Sequence, residues 1–273
     1  MTGAAGSIGR ILSERLSKMP VKKLILLDQD ESGIFEIYEE IKNPRVDYVI
    51  ANIREETRIL SVFHRHKPDI VIHAAAYKHV VLMERFPEEA RKTNVFGTIN
   101  VINAAIKCGT QKFVLISTDK AVNPVSVMGN TKALAEDICL SLNGKKLKTI
   151  VVRFGNVMAS RGSIIPIFKK QILENKSITI TDQKMRRYFM GIHEAADLIL
   201  EATVRGKGGE IFILDMKEEV LILDLAKLML KLEGKDLPIK IIGRKKGEKI
   251  SEELMTKKEK KRAKKVGKLY VIK

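Results

Sequence analysis

Residues Thr2–Arg10 read TGAAGSIGR, and a little further on Leu24–Asp28 reads LILLD. Glycines at 3, 6 and 9 let a backbone turn tightly and approach a pyrophosphate, whose charge then meets the N-terminus of the following helix. A glycine-rich helix start is common by itself. Here an apolar helix follows, and then a strand that ends on an acidic residue. Asp28 lies about twenty residues past the glycines, the offset of a carboxylate that holds ribose hydroxyls. The combination predicts a dinucleotide site built from Gly3, Gly6, Ser7, Ile8, Gly9 and Asp28. With Asp30 and Glu31 close by and no nearby arginine, a 2′-phosphate would meet repulsion, so NAD is expected and NADP disfavoured.

Working outward, LILLD is the first of five short β-branched runs. VDYVI (46–50), DIVIHAA (69–75), KFVLIS (112–117) and TIVVRF (149–154) are the others. Nearly continuous apolar character suits parallel strands covered on both faces. Helical patterns fall between them, at 11–18, 33–42, 55–66, 87–107 and 127–142. Alternation of this kind predicts an α/β protein with a doubly wound parallel sheet of the Rossmann type. After Phe154 the alternation loosens. Residues 1–155 are therefore expected to form the NAD-binding domain, and 156–273 a smaller mixed α/β substrate lobe with some elements returning to the first. The glycine fingerprint should follow a strand, yet none precedes Thr2. The reading is of a chain truncated or misassigned at its start, with its first, central strand missing.

Composition narrows the class. The chain has 273 residues, 45% of them hydrophobic, and two cysteines. Cys108 and Cys139 are far apart in apolar helical patterns, which suits a reducing cytoplasm rather than a disulfide framework. The five histidines show no zinc spacing, and no metal site is expected. There is no apolar run of membrane-spanning length. Much of the net charge of +17 collects near the C-terminus, in KKEKKRAKK (257–265). A solvated helix face is the favoured reading of that run. An anionic partner such as a nucleotide-sugar diphosphate is the sharper one. Without interleaved aromatics, nucleic acid is disfavoured.

Other positions fit the same frame. Ala74, Ala75 and Ala76 end a strand and would let a nicotinamide ribose come close, or simply pack strand on helix. Asn52 and Ile53 follow VDYVI, where an adenine would be met. Asn94 in KTNVFGT is either a cofactor contact or a buried structural amide.

TGAAGSIG, HAAAYKHV, KTNVFGT, STDKAVNP, VRFGNV, RRYFM and GRKKGEK occur in the order seen in extended short-chain dehydrogenase/reductases. More narrowly the chain resembles, over nearly its whole length, the polysaccharide-biosynthesis group typified by UDP-N-acetylglucosamine 4,6-dehydratases. STDKAVNP is the most specific element. The resemblance implies a lyase that oxidises the sugar at C4, eliminates water across C5 and C6, and returns the hydride to C6. It implies Lys120 as the C5 base, Asp119 as the acid at the C6 oxygen, and Thr118 on the C4 oxygen; an ordinary loop salt bridge is the plainer reading of the pair. In most of the superfamily a YxxxK pair supplies a tyrosine acid/base. Met128 stands in the tyrosine's place, as in one branch of these dehydratases, while Lys132 keeps its spacing and can hold the ribose. The C4 proton must then pass to Thr118, Asp119, Lys120 or a water.

Lys78, His79, Asn156, Arg187, Lys245 and Glu248 are the expected contacts of a UDP-sugar substrate. Lysine replaces arginine and the proline is absent at GRKKGEK. A homo-oligomer is expected. Rival readings are a sister 4-epimerase, a dehydratase that inverts C5, and a non-catalytic nucleotide-binding protein.

Overall fold

The computed structural model describes residues 1–216 and 218–273. Five parallel strands open the chain: β1 (Leu24–Asp28), β2 (Val46–Ile50), β3 (Ile70–His73), β4 (Lys112–Ile116) and β5 (Lys148–Arg153). They alternate with α1 (Ser7–Lys18), α2 (Glu31–Glu40), α3 (Glu56–His66), α4 (Val80–Arg85), α5 (Pro87–Ala90), α6 (Thr98–Lys107) and α7 (Val127–Ser141). A π-helical segment, Arg91–Gly97, joins α5 to α6. The predicted elements of this half therefore form close to their expected bounds. The short helix α4 was not expected.

The second half adds β6 (Asn156–Val157), α8 (Ile164–Leu173), β7 (Ile178–Ile180), β8 (Arg186–Arg187), β9 (Phe189–Met190) and α9 (Ile192–Arg205). Then come β10 (Glu210–Leu214), β11 (Val220–Leu221), α10 (Ile222–Leu232), β12 (Ile239–Ile241), α11 (Lys257–Arg262), β13 (Lys264–Val266) and β14 (Leu269–Ile272). β10 pairs with β5 in parallel, β14 joins β10 antiparallel, and β13 closes that edge. Thus the order β3-β4-β5-β10-β14-β13 forms one continuous sheet, with the β1–β2 pair on the far side of β3.

The position between β1 and β3 is held, among the described residues, by Met1 and Thr2. Thr2 bridges both Leu27 and His73 in parallel. Its N–H donates to Ile72 O at 3.0 Å and its carbonyl accepts from Ala74 N at 3.0 Å, while Leu27 N donates to Met1 O at 2.9 Å. The ladder is thereby present at the C-terminal end of the sheet, where the glycine loop leaves it.

Side-chain alternation explains the continuous apolar runs. Val71, Phe113, Leu115, Val151 and Ile213 face one way, with α3, α6 and α7 over them. Ile72, Val114, Ile116, Ile150, Val152 and Phe212 face the other, under α1 and α9. Both faces are dry, so neither alternate can be polar. A separate core of Phe168, Ile172, Ile178, Ile180, Ile222 and Leu230 joins α8, α10, β7 and β12. The basic run at the C-terminus forms α11 and β13, and its one acid anchors it. Glu259 reaches back to Thr256 N at 2.6 Å in a capping box. It also accepts from buried Arg153 at 3.1 Å, whose guanidinium meets both oxygens of Glu136 at 2.5 and 3.2 Å.

His73 is enclosed at the end of β3, with its ring nitrogens 2.7 Å from Thr2 Oγ1 and 3.0 Å from Thr98 Oγ1. Burial, then the charge of Lys132, pushes its pKa down to about 3. An unfolded histidine titrates near ~6.5, so this group's contribution is intact above that pH and is lost as pH falls toward 3. Between pH 6.5 and 5 the loss approaches ~1.4 kcal/mol per pH unit. His73→Gln is expected to be less stable at pH 7.5 yet flatter in this window. Urea midpoints at pH 7.5, 6.5, 5.5 and 5.0 measure both effects.

Candidate active site

The parallel strands point their C-terminal ends at one cleft, the usual ligand position of an open α/β sheet. It holds a cavity of about 200 Å³. Gly3, with φ +75°, floors it. A Cβ there would stand 2.5 Å from Ala75 N and 2.6 Å from the Ala74 carbonyl carbon. Gly9 is as constrained, since a Cβ would meet the Gly3 oxygen at 2.0 Å. Gly6 caps α1 without a side-chain acceptor, so the first N–H groups of that helix are open to an anion. Ala5 N donates to Asp28 Oδ2 at 2.9 Å, and Asp30 N to Asp28 Oδ1 at 3.1 Å, which fixes the carboxylate at the cleft wall.

Of the residues predicted for the cofactor, Gly3, Gly6, Asp28, Ile53, Ala74, Ala75 and Ala76 line this cleft. Ser7 and Ile8 open α1 beneath it. Asn52 does not line it, and its amide oxygen accepts Arg54 N at 3.0 Å in its own turn. Asn94 is buried. It accepts Tyr77 N at 2.8 Å and donates to Tyr77 O at 2.9 Å and to Thr131 Oγ1 at 3.0 Å, stapling the end of the alanine run to α7. These residues fit a dinucleotide: an uncapped helix start for the diphosphate, an oriented carboxylate for the ribose, and walls with room for no larger side chain.

Beside the cleft, β4 is followed by a turn of Thr118, Asp119 and Lys120. Lys120 Nζ donates to Asp119 Oδ1 at 3.0 Å and to Asn156 Oδ1 at 2.8 Å. Thr118 Oγ1 donates to Asp119 Oδ1 at 2.9 Å. Asp119 is 0% exposed, and its Oδ2 is buried without a hydrogen-bond partner among the described residues. Gly129 makes room for this turn, for a Cβ there would meet Lys120 O at 2.4 Å. Lys132 Nζ donates to Ile116 O at 2.7 Å, and burial pushes its pKa down to about 8. Met128 lies 2% exposed in a pocket with Met83 and Ala90.

The predicted substrate residues divide. Lys78 Nζ reaches Ser160 Oγ at 3.3 Å; burial and the neighbouring charge of Lys120 hold its ammonium below the usual lysine range. His79 lies beside it, and burial, then Lys78, lowers its pKa as well. Asn156 is bound to Lys120. Arg187 is buried, with its guanidinium donating to Arg186 O at 2.6 Å and Ile250 O at 3.1 Å. Lys245 and Glu248 instead close a turn on themselves, Lys245 N to Glu248 Oε2 at 2.9 Å, on an exposed loop.

Sequence reading missed three groups here. Glu252 is buried, with Oε2 lacking a hydrogen bond among the described residues. Burial raises its pKa and Asp119 adds to the rise, against the opposing pull of Lys120. Tyr188 feels burial, then Glu219 and Asp119, all of which push its phenol up. Arg161 lines the cofactor cleft 3.9 Å from Asp30, so an arginine does stand near the carboxylates where none was expected. Tyr188 sits within a quoted motif, RRYFM, and Glu252 lies three residues past GRKKGEK; only the fold carries them toward Asp119.

A family model described as polysaccharide biosynthesis protein matches residues 1–273. Capsular polysaccharide biosynthesis protein CapD of Staphylococcus aureus is 46% identical, aligned over 95% of this chain and 45% of that protein. The chain thus spans less than half the length of that relative. UDP-glucose 4-epimerase of Rickettsia canadensis is 36% identical over 100% of this chain and 81% of its own length. UDP-N-acetylglucosamine 4,6-dehydratase (inverting) of Campylobacter jejuni is 37% identical over 78% of this chain and 65% of its own length. Among solved structures, Pen from Bacillus thuringiensis superposes with a TM-score of 0.93 at 39% identity, covering 99% of this chain and 86% of that one.

The glycine geometry gives a direct test. Gly9→Ala forces a methyl onto the Gly3 carbonyl and should destabilise the fold by about 2–3 kcal/mol. Gly6→Ala, whose Cβ meets Gly3 O at 3.3 Å, should cost less than half as much. Thermal melts of the two variants beside wild type check the difference.

Proposed function

The chain belongs to the polysaccharide biosynthesis protein family of extended short-chain dehydrogenase/reductases, and we propose that it is an NAD-dependent nucleotide-sugar 4,6-dehydratase acting on UDP-N-acetylglucosamine. The observation that carries this reading is the Lys120–Asp119 pair, bonded at 3.0 Å with the carboxylate buried, beside the dinucleotide cleft. A bound nicotinamide would accept the hydride from sugar C4 and later return it at C6. What remains is proton traffic, and the chain's own side chains supply it. Moving one proton across the Lys120–Asp119 hydrogen bond gives an amine and a carboxylic acid side by side. The amine takes the C5 proton, made acidic by the C4 ketone, and the acid protonates the departing C6 oxygen. Asn156 holds the amine at 2.8 Å and orients it.

Met128 carries no exchangeable proton, and its burial among apolar side chains gives it a packing role. The C4 hydroxyl proton instead passes to Thr118 Oγ1, which hands its own to solvent, because Asp119, 2.9 Å away, takes its single proton from Lys120. Lys78 and Arg187 supply positive charge on the side of the sugar diphosphate, and His79 a neutral imidazole. Identity to a Rickettsia 4-epimerase over the full chain favours a second reading, 4-epimerisation. An epimerase needs no elimination pair, so the buried Asp119–Lys120 contact supports dehydration over it.

A proton NMR time course with UDP-N-acetylglucosamine and NAD separates the readings. Dehydration gives a new C6 methyl doublet, with solvent deuterium entering at C5 in D₂O. Epimerisation gives a C4 epimer and no methyl. Lys120→Met and Asp119→Asn should each lower turnover by roughly 10²–10⁴-fold. Met128→Leu should leave turnover within about twofold and stability within ~1.5 kcal/mol, as volume-conserving core exchanges do.

A further inference from the structure

Arg161 has no part in the reaction just described, yet it stands inside the cofactor cleft. It belongs to the loop that leads from β6 to α8, whose backbone meets the first residue of α1. Among the described residues that line the cleft, Arg161 alone is cationic, and it faces two carboxylates, Asp28 and Asp30. Those carboxylates already have partners. Asp28 accepts two backbone N–H groups, and Asp30 caps α2 through Gly33 N at 3.0 Å. The guanidinium approaches Asp30 at 3.9 Å, beyond hydrogen-bond range, with 61% of its side chain exposed. A surface pair of that length contributes little. The head of this side chain is loosely held.

Its backbone is not. Arg161 N donates to Ser7 Oγ at 3.0 Å, which ties the loop to the first residue of α1. On one side Ser160 Oγ donates to Val157 O at 3.0 Å and meets Lys78 Nζ at 3.3 Å. On the other, Gly162 turns at φ +68° against the His79 ring, where a Cβ would come within 2.5 Å. A fixed backbone with a free cationic fork, placed at a helix N-terminus that has no side-chain cap, is a device for an anion.

We propose that Arg161 is a dinucleotide-binding residue, whose guanidinium leaves Asp30 and takes the cofactor's diphosphate where it crosses Ser7. The proposal rests on the dinucleotide reading of the glycine loop. Two phosphate charges entering a cleft with two carboxylates need a counter-charge, and the start of α1 offers only about half an elementary charge. Clamping also suits a reaction in which hydride is removed and returned at one site, because a cofactor that stays bound between the two transfers need not be exchanged.

Calorimetric titration of wild type, Arg161→Met and Arg161→Lys with NAD, ADP, adenosine and adenosine 2′-phosphate tests it. The methionine variant should bind NAD and ADP at least tenfold more weakly, with adenosine affinity and melting temperature unchanged. Lysine, a point charge in place of a fork, should restore part of the loss. NAD and ADP affinities within twofold of wild type would overturn the proposal. So would an equal loss for adenosine, which marks a structural role, or a loss confined to adenosine 2′-phosphate, which moves the guanidinium to the ribose. Wild type that binds neither NAD nor ADP would remove the dinucleotide reading itself, and the proposal with it.

Discussion

The site depends on how closely two stretches of main chain pass one another. Gly3 runs so near Ala74 and Ala75 that no side-chain carbon fits between them. This contact fixes where the loop after Thr2 turns, and so where α1 begins. It also sets the alanine run as the cleft's inner wall. Everything nearby reinforces it. The buried His73 links Thr2 to Thr98, Asn94 clips Tyr77 to α7, and α7 in turn carries Gly129 against the Lys120 carbonyl. Cofactor wall and acid–base turn are therefore positioned by one chain of contacts. A displacement at Gly3 would be felt at Lys120.

Local pattern made the first half legible. LILLD, KFVLIS and TIVVRF are apolar on both alternates because helices cover both faces, a fact written into each strand alone. The glycine spacing and Asp28 were likewise readable, since the turn and the carboxylate lie on one strand–helix–strand unit. The pairing of Asp119 with Lys120 could be read because they are neighbours in sequence. By contrast β6, β8, β9 and β11 are two-residue strands whose existence depends on partners elsewhere in the chain. No periodicity announces a strand that short.

Side chains brought in from afar were the other gap. Glu252 joins Asp119 across much of the sequence, and its neighbours in ISEELM look like any solvated acidic turn. No arginine is near Asp30 in sequence, yet Arg161 stands 3.9 Å from it, because only the fold brings the loop after β6 to the start of α1. The basic tail was read as a solvated face. In the structure most of its lysines are exposed, while the single acid among them, Glu259, completes a buried cluster with Arg153 and Glu136. Its charge count drew attention to the lysines, whereas the residue that fixes the segment is the exception to that charge.

The path of the chain has a mechanical consequence. It leaves the central sheet after β5, returns as β10, leaves again through β11, α10 and β12, and returns as β14. The smaller core is thus suspended from the sheet by several strands of covalent chain rather than by one flexible joint. Such a body has few degrees of freedom: it cannot swing wide on a hinge, and the traverses near the cleft resist shear as well. The loop bearing Ser160, Arg161 and Gly162 is itself tied to Ser7 and packed on the His79 ring, so it holds its place beside the cleft. The smaller core and the sheet therefore stay in register.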